Sequence, residues 1–486
     1  MKLTLRDYQH SAVADVRAAY ADGCRAPLLT LPTGGGKTVI FSYIAERAGA
    51  KGNRVLILVH RRELLRQTSR TLDDFGVAHG MIAAGMSMDR HQQVQIASVQ
   101  TLVRRLERLR WVPDLIVVDE AHHATGKTTW GQVLAHYPEA KVLGVTATPQ
   151  RLDGQGLGVE AGGIFDRLIT GPTVSQLTAA GHLSPAVVFA PRTMVDLSGI
   201  HTRAGDYAQN EVAEAMDKPT ITGDAVAHYR QHCSGEPAIA FCASVDHAEH
   251  VAASFHAAGF RAASIDGGMD SGLRAQHIED LGAGSLHVLT SCEIVSEGTN
   301  IPIVSAAILL RPTQSLGLYL QQVGRVLRPA PGKRRAVILD HVGNCYRHGL
   351  PDDEREWSLA GREKRKTAAS DAMPVRQCSE CYHVHRPAPV CPRCGYVYPV
   401  QSREVEEVEG ELEQVDVAEV RRAAKREQAR AKSVEDLVEL GRARGYKNPH
   451  AWARFVWQAR MGRTQSPART TPAARARGVL PAGDRA

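Results

Sequence analysis

The sequence predicts an α/β protein with two parallel-sheet lobes in tandem, followed by a small four-cysteine ribbon and a helical C-terminal segment. Three observations carry this. A glycine-rich stretch, Leu31-Pro32-Thr33-Gly34-Gly35-Gly36-Lys37-Thr38, follows an apolar run and precedes a helical pattern. Short apolar runs then alternate with helical patterns along two successive stretches, and two Cys-x-x-Cys pairs lie beyond both. A chain of 486 residues, 43% of them hydrophobic, can hold two or three domains with real cores. Its net charge of +7 is compatible with a polyanionic partner but does not establish one. No opening basic-then-apolar segment resembles a signal peptide. No apolar run approaches the roughly 20 residues that span a bilayer, so the expectation is a cytoplasmic protein with no membrane partner.

The first lobe is expected over residues 1 to 175. Pro27-Leu28-Leu29 reads as the strand that feeds the glycine-rich loop, giving the strand, loop and helix order that a phosphate loop requires. Thr33, Gly34, Gly35, Gly36, Lys37 and Thr38 then form the ATP-binding set. The three glycines let backbone N–H groups approach the phosphates, Lys37 reaches the β and γ oxygens, and the Thr38 hydroxyl holds Mg²⁺. Leu31 stands where a first glycine is usual. Leu115 to Val118 reads as a buried parallel strand delivering Asp119 and Glu120 at its carboxyl end, where ligands bind. Asp119 is placed to hold Mg²⁺ through its water shell, and Glu120 to polarise the water that attacks the γ-phosphate. His122 would either sense that phosphate or hydrogen-bond a neighbouring motif. Val55 to Val59, Val94 to Ser98 and Val142 to Thr146 supply further strands.

The second lobe is expected over 176 to 350. Its strand candidates are Ala238 to Phe241, Ala262 to Ile265, His287 to Thr290, Ala306 to Leu310 and Ala336 to Leu339. Residues 191 to 222 lack clear periodicity and read as a loop or small insertion with no assigned chemistry.

With these motifs in order, residues 1 to about 345 resemble the DEAH/DEAD-box branch of the superfamily-two helicases, which implies two RecA-like lobes. Leu5-Arg6-Asp7-Tyr8-Gln9 looks like the adenine-reading element, where the Gln9 amide offers a donor and an acceptor. Val59-His60-Arg61-Arg62-Glu63-Leu64 resembles motif Ia and Ser98-Val99-Gln100-Thr101-Leu102 motif Ib, segments that grip the nucleic-acid backbone in the family. Thr146-Ala147-Thr148-Pro149 matches motif III, and Phe241-Cys242-Ala243-Ser244 resembles motif IV. Ser296-Glu297-Gly298-Thr299-Asn300-Ile301-Pro302 matches motif V, with Gly298 toward the nucleotide and Asn300 where the family more often has Asp. Gln321-Gln322-Val323-Gly324-Arg325-Val326-Leu327-Arg328 is similar to motif VI. Helical spacing sets Gln321, Arg325 and Arg328 on one face, from which both guanidinium groups can meet γ-phosphate charge if the lobes close.

Cys378, Cys381, Cys391 and Cys394 form two knuckles over 370 to 400, the pattern of a structural Zn²⁺ held by four thiolates. Iron is the alternative metal, and His383 or His385 the alternative ligands. Residues 401 to 432 are a charged linker. Residues 433 to 462 are a small helical segment that opens on a capping box at Ser433 and carries Trp452, Phe455, Val456 and Trp457, while 463 to 486 are expected to be disordered. Helicase lobes with such a tail look similar to the bacterial RadD family of DNA-repair ATPases. That resemblance implies a DNA-dependent ATPase or helicase in repair or recombination, with single-strand-binding protein or a recombinase as partners. The alternatives are a DNA translocase or remodeller that does not unwind, the motor subunit of a restriction system, and an ATP-switched nucleic-acid-binding adaptor.

Overall fold

The computed structural model describes residues 4–86, 88–151, 153–191, 199–203, 206–217, 219–292, 301, 303–361, 373–399, 425–444 and 448–463. The chain divides into two units, Met1–Pro399 and Val400–Ala486.

The first lobe comprises α1 (Asp7–Ala21), β1 (Pro27–Thr30), α2 (Lys37–Gly49), β2 (Val55–Val59), α3 (Arg62–Asp74), β3 (His79–Ile82), β4 (Val94–Ser98), α4 (Val99–Val103), β5 (Leu115–Asp119), α5 (Thr129–His136), β6 (Lys141–Thr146) and β7 (Arg167–Thr170). Its seven strands are ordered β3-β4-β2-β5-β6-β1-β7, and every pairing is parallel. The apolar run Val55-Leu56-Ile57-Leu58-Val59 shows why a sheet forms. Alternate side chains leave opposite faces of a strand, so Val55, Ile57 and Val59 pack under α1, α2 and α3, while Leu56 and Leu58 join Val99 and Val133 of α4 and α5. Each fully buried aliphatic side chain contributes about 1.5–3 kcal/mol of transfer free energy, which only a strand covered on both faces collects at every position.

The second lobe repeats the plan. The connecting α6 (Val174–Ala179) leads into β8 (Ala186–Phe189), a two-stranded antiparallel hairpin β9 (Thr202–Arg203) and β10 (Asp206–Tyr207), then α7 (Gln209–Met216) and α8 (Pro219–Cys233). After these come β11 (Ala238–Phe241), α9 (Val245–Ala257), β12 (Ala262–Ile265), α10 (Ser271–Ala283), β13 (Val288–Ser291), β14 (Ala306–Leu309), α11 (Leu316–Val326), β15 (Ala336–Asp340) and α12 (Asn344–His348). Ile239 and Phe241 face one core, Ala238 and Ala240 the other. The stretch read as unassigned loop therefore includes the β9–β10 hairpin and α7. Asp206 of the hairpin accepts from Thr313 Oγ1 at 2.8 Å and Gln314 N at 2.7 Å, which ties the insertion to the loop before α11.

The ribbon is not a free-standing tail. Its hairpin, β16 (Arg376–Gln377) and β17 (His383–His385), continues the second lobe's sheet in the order β12-β13-β11-β14-β15-β8-β17-β16, with β17 antiparallel to β8. Between lobe and ribbon the chain crosses back to the first lobe, where the Leu359 carbonyl accepts from the N–H groups of Leu157 and Gly158 at 3.0 and 2.9 Å.

In the second unit, the helices Val434–Ala443 and Pro449–Arg463 pack through Leu437, Val438 and Ala453, with Trp452, Val456 and Trp457 alongside. Ser433 caps the first: its hydroxyl accepts from Asp436 N at 3.0 Å and the Asp436 carboxylate accepts from Ser433 N at 3.1 Å. Among the described residues no helix is long and apolar enough to cross a membrane.

Candidate active site

The parallel register brings the carboxyl ends of β1, β6 and β5 side by side, with Thr30 opposite Thr146 and Asp119 opposite Val145. The loop after β1 then has to turn sharply into α2. Gly34 and Gly36 lie at φ +89° and +80°, left-handed values that only glycine adopts without cost, and Gly36 is the N-cap of α2. Lys37 and Thr38 thus open a helix whose positive end faces the cleft. Leu31, the departure from the usual pattern, is buried in the first lobe's core, and its carbonyl accepts from Lys37 Nζ at 3.5 Å.

The segment read in the sequence as the adenine element packs against this loop through Tyr8 and Gln9. Gln9 is buried, its Oε1 accepts from Arg6 N at 2.9 Å, and its Nε2 lies 2.4 Å from where a Cβ on Gly36 would sit. The Tyr8 hydroxyl donates to Gly35 O at 3.1 Å. One lone pair of the Gln9 amide is thereby committed, and Nε2 supplies its donors.

Asp119 and Glu120 are both buried at the end of β5. Asp119 Oδ1 accepts from Glu120 N at 3.0 Å, and Glu120 itself holds a left-handed backbone at φ +49°, a strained conformation for a residue with a Cβ. Its Oε2 is buried without a hydrogen-bond donor, 3.4 Å from His122 Nδ1. His122 Nδ1 also lies 2.9 Å from Thr146 Oγ1, which accepts from Thr148 N at 3.2 Å. Of the two roles read for His122, the structure shows the hydrogen bond to a neighbouring motif. Oxygen donors from Asp119 and the Thr38 hydroxyl suit a hard divalent cation such as Mg²⁺.

The second lobe closes on this edge. A Cβ on Gly324 would lie 2.3 Å from Thr33 Cβ, so α11 rests directly on the phosphate loop, and a Cβ on Gly34 would meet Leu183 and Arg328. A Cβ on Gly317 would lie 3.0 Å from Thr148 Oγ1, so motif III touches the same helix. Farther along the cleft Arg274 of α10 pairs with Glu63 of α3 at 3.0 Å. Gln321 and Arg325 are buried on α11, and Arg328 follows just beyond its end. Burial lowers the Lys37 ammonium below its ordinary value; Glu120 and Asp119 oppose that shift, while Arg325 and Arg328 add to it. Burial lowers the Arg328 guanidinium to about 9, with Arg325 adding its repulsion. Gly298 and its neighbours 293 to 300 lie outside the described residues, as does Pro302.

The four cysteines converge as well. All four Sγ atoms lie within 4.8 Å of one another, with Cys378 to Cys394 at 3.5 Å and Cys381 to Cys391 at 3.8 Å. Tetrahedral thiolates about 2.3 Å from zinc stand roughly 3.8 Å apart, so the set fits the metal. Burial would raise the Cys378 thiol, but hydrogen bonds from the N–H groups of Cys381 and Glu380 and from the Cys394 and Cys391 thiols lower it below its ordinary value. His383 Nδ1 turns to Val188 O and His385 Nε2 to the Tyr398 hydroxyl, so both imidazoles have partners other than the thiol cluster.

Sequence reading missed the contacts between lobes, Leu183 on Gly34 and Arg274 on Glu63, because nothing local marks them.

Comparison with known proteins gives two family matches. Residues 2–151 match the model described as the type III restriction enzyme, res subunit, and residues 222–330 the helicase conserved C-terminal domain. A 51.5 kDa protein of a Lactococcus phage (isolate 7-9) is 31% identical over 425 residues, covering 87% of this chain and 89% of that one. The "Putative ATP-dependent helicase IRC3" of Saccharomyces cerevisiae is 30% identical over 362 residues, covering 70% of this chain and 51% of the yeast protein. Among solved structures, the ATP-dependent type ISP restriction-modification enzyme LlaBIII bound to DNA superposes with a TM-score of 0.53 at 20% identity. The match covers 70% of this chain and 28% of LlaBIII.

Proposed function

This chain belongs to the superfamily-two helicases, ATP-hydrolysing motors on nucleic acid, and from that premise we propose that it is a DNA-dependent ATPase acting as a helicase in DNA repair or recombination. One observation carries the mechanism: α11, which bears Arg325 and ends just before Arg328, rests on the phosphate loop, with Gly324 against Thr33 and the Arg328 side chain against Gly34. Gln9, the loop from Thr33 to Thr38 and, in motif V, Gly298 bind the nucleotide. Thr38 and Asp119 hold Mg²⁺, which neutralises phosphate charge. Glu120 orients and polarises the attacking water, and its oxygen without a donor is free to accept one. Arg325 and Arg328, with Gln321 behind them, meet the charge that develops on the γ-phosphate. His122 links that centre to motif III, and Thr148 in turn to α11, so hydrolysis has a short path to lobe movement.

DNA rather than RNA is favoured by the restriction-enzyme description of the first family match and by the DNA-bound relative in fold. The resemblance to the RadD family adds a cytoplasmic repair role with single-strand-binding protein or a recombinase as partner. The four cysteines hold one structural Zn²⁺. Steady-state ATP hydrolysis with single-stranded DNA, duplex DNA and RNA tests the reading: DNA should stimulate turnover and RNA should not, and equal stimulation by RNA overturns it. A second reading, a translocase that does not unwind, is favoured by the restriction-type match. Stimulation by duplex DNA without release of a labelled strand would select it.

A further inference from the structure

Helix α11 ends without the left-handed glycine that often closes a helix. Its C-cap, Leu327, is right-handed at φ −80° and ψ −11°. The carbonyls at this end are satisfied from elsewhere. Leu327 O accepts from Ser184 N at 2.7 Å, while Val326 O and Arg328 O both accept from Lys333 Nζ, at 2.6 and 2.7 Å. The same ammonium donates to Val304 O at 2.6 Å, on the chain entering β14. The ammonium thus meets three backbone acceptors drawn from two different elements.

The local sequence brings Lys333 there. Its N–H donates to Ala330 O at 3.1 Å, closing a turn with Pro331 and Gly332 at the centre, and Gly332 stands at φ +77° as the third residue of a type II turn requires. Holding a charge there is costly. Burial, with Arg328 adding its repulsion, lowers the ammonium to about 8. A positive group at a helix C-terminus is favourable.

We propose that Lys333 is a positioning residue for ATP hydrolysis: by tying the end of α11 to the strand beside it, its ammonium fixes Arg325 and Arg328 in the geometry that serves the closed cleft. Arg328 lies past the helix's regular ladder, so the direction of its side chain depends on what holds its carbonyl. The inference rests on the reading of these two arginines as γ-phosphate ligands.

Lys333→Met removes all three donors at nearly constant length. In the full chain with DNA, kcat should fall on the order of 10- to 100-fold, the usual cost of displacing a reacting group by about 1 Å, while affinity for a non-hydrolysable ATP analogue changes less than about threefold. Lys333→Arg, which keeps a cation and several donors, should recover most of the loss and also serves if the Met variant folds poorly. In an Arg328→Ala background Lys333→Met should add little, because the group it positions is gone. Unchanged kcat in Lys333→Met, or full additivity with Arg328→Ala, overturns the proposal. So does a loss of melting temperature and nucleotide affinity with kcat per folded molecule preserved. Wild-type turnover in both Arg325→Ala and Arg328→Ala would remove the arginine reading itself, an outcome distinct from failure of the lysine's role.

Discussion

Gly324→Ala should separate the stability of the protein from its activity. Gly324 sits inside α11 with no positive φ, so alanine favours the helix by up to about 1 kcal/mol. The added Cβ would lie 2.3 Å from Thr33 Cβ and 2.7 Å from Thr33 Cγ2. Carbon atoms in contact stand about 3.5–4.0 Å apart, so α11 must withdraw from the phosphate loop by more than about 1 Å. Overpacking of this kind costs about 1–3 kcal/mol and is borne only by the closed arrangement. The closed population should therefore fall about 5- to 150-fold at fixed ATP. Nucleic-acid-stimulated kcat should drop accordingly, while thermal unfolding shifts little or upward. Steady-state ATP hydrolysis at saturating DNA, read beside a melting curve, checks both. Thr33→Gly in the same background deletes the obstructing atoms and should restore part of the loss. Full turnover in Gly324→Ala alone would refute the reasoning, because contact between α11 and the loop could not then belong to the catalytic state.

Three further outcomes follow from the same geometry. Glu120→Gln should keep Mg²⁺-ATP binding and lower hydrolysis about 10²- to 10⁴-fold, since the amide preserves shape but loses the base; wild-type turnover would remove Glu120 from that role. Cys391→Ser with Cys394→Ser should abolish stoichiometric metal while ATP binding survives; metal analysis of purified protein reads it, and folded wild type with neither zinc nor iron would rule the site out. Burial lowers His341 to about 3 and His348 to about 4. Both are depressed below their unfolded value, so the stability tied to their neutral forms is full above about pH 6.5 and declines as pH falls toward those values. Each should cost roughly 2 kcal/mol by pH 5. Urea unfolding at pH 7 and pH 5 measures this, and replacing both with phenylalanine should flatten the dependence.

What could be read from the sequence was whatever one segment dictates by itself. The phosphate loop needs glycines because two of its residues, Gly34 and Gly36, are left-handed. Val55 to Val59 announces a strand because all five residues are buried on one sheet or the other face of it. By contrast β3 mixes His79 and Gly80 with Met81 and Ile82, and β7 has one buried residue among four, so neither carries an apolar run. These two strands lie at the edges of their sheet, where one-sided protection permits polar residues. The lobe contacts were illegible for another reason: Glu63 with Arg274, Thr33 with Gly324, and Leu157 with Leu359 join residues some two to three hundred positions apart, and no local periodicity encodes a partner at that range. The cysteine spacing announced a ribbon, but nothing in it said that the ribbon would continue a sheet.

That continuation protects the fold from self-association. Without the ribbon, β8 would end the second lobe's sheet with four residues of unpaired backbone, two of them the buried Val188 and Phe189, a template for pairing with another chain. The hairpin pairs with Val188 and Phe189 of that row and leaves the two-residue β16 as the outermost strand on this side. Whatever holds Cys378, Cys381, Cys391 and Cys394 together therefore also guards solubility. Opening the cluster with Cys391→Ser and Cys394→Ser should first be visible as concentration-dependent light scattering, at a temperature where the cleft still binds ATP.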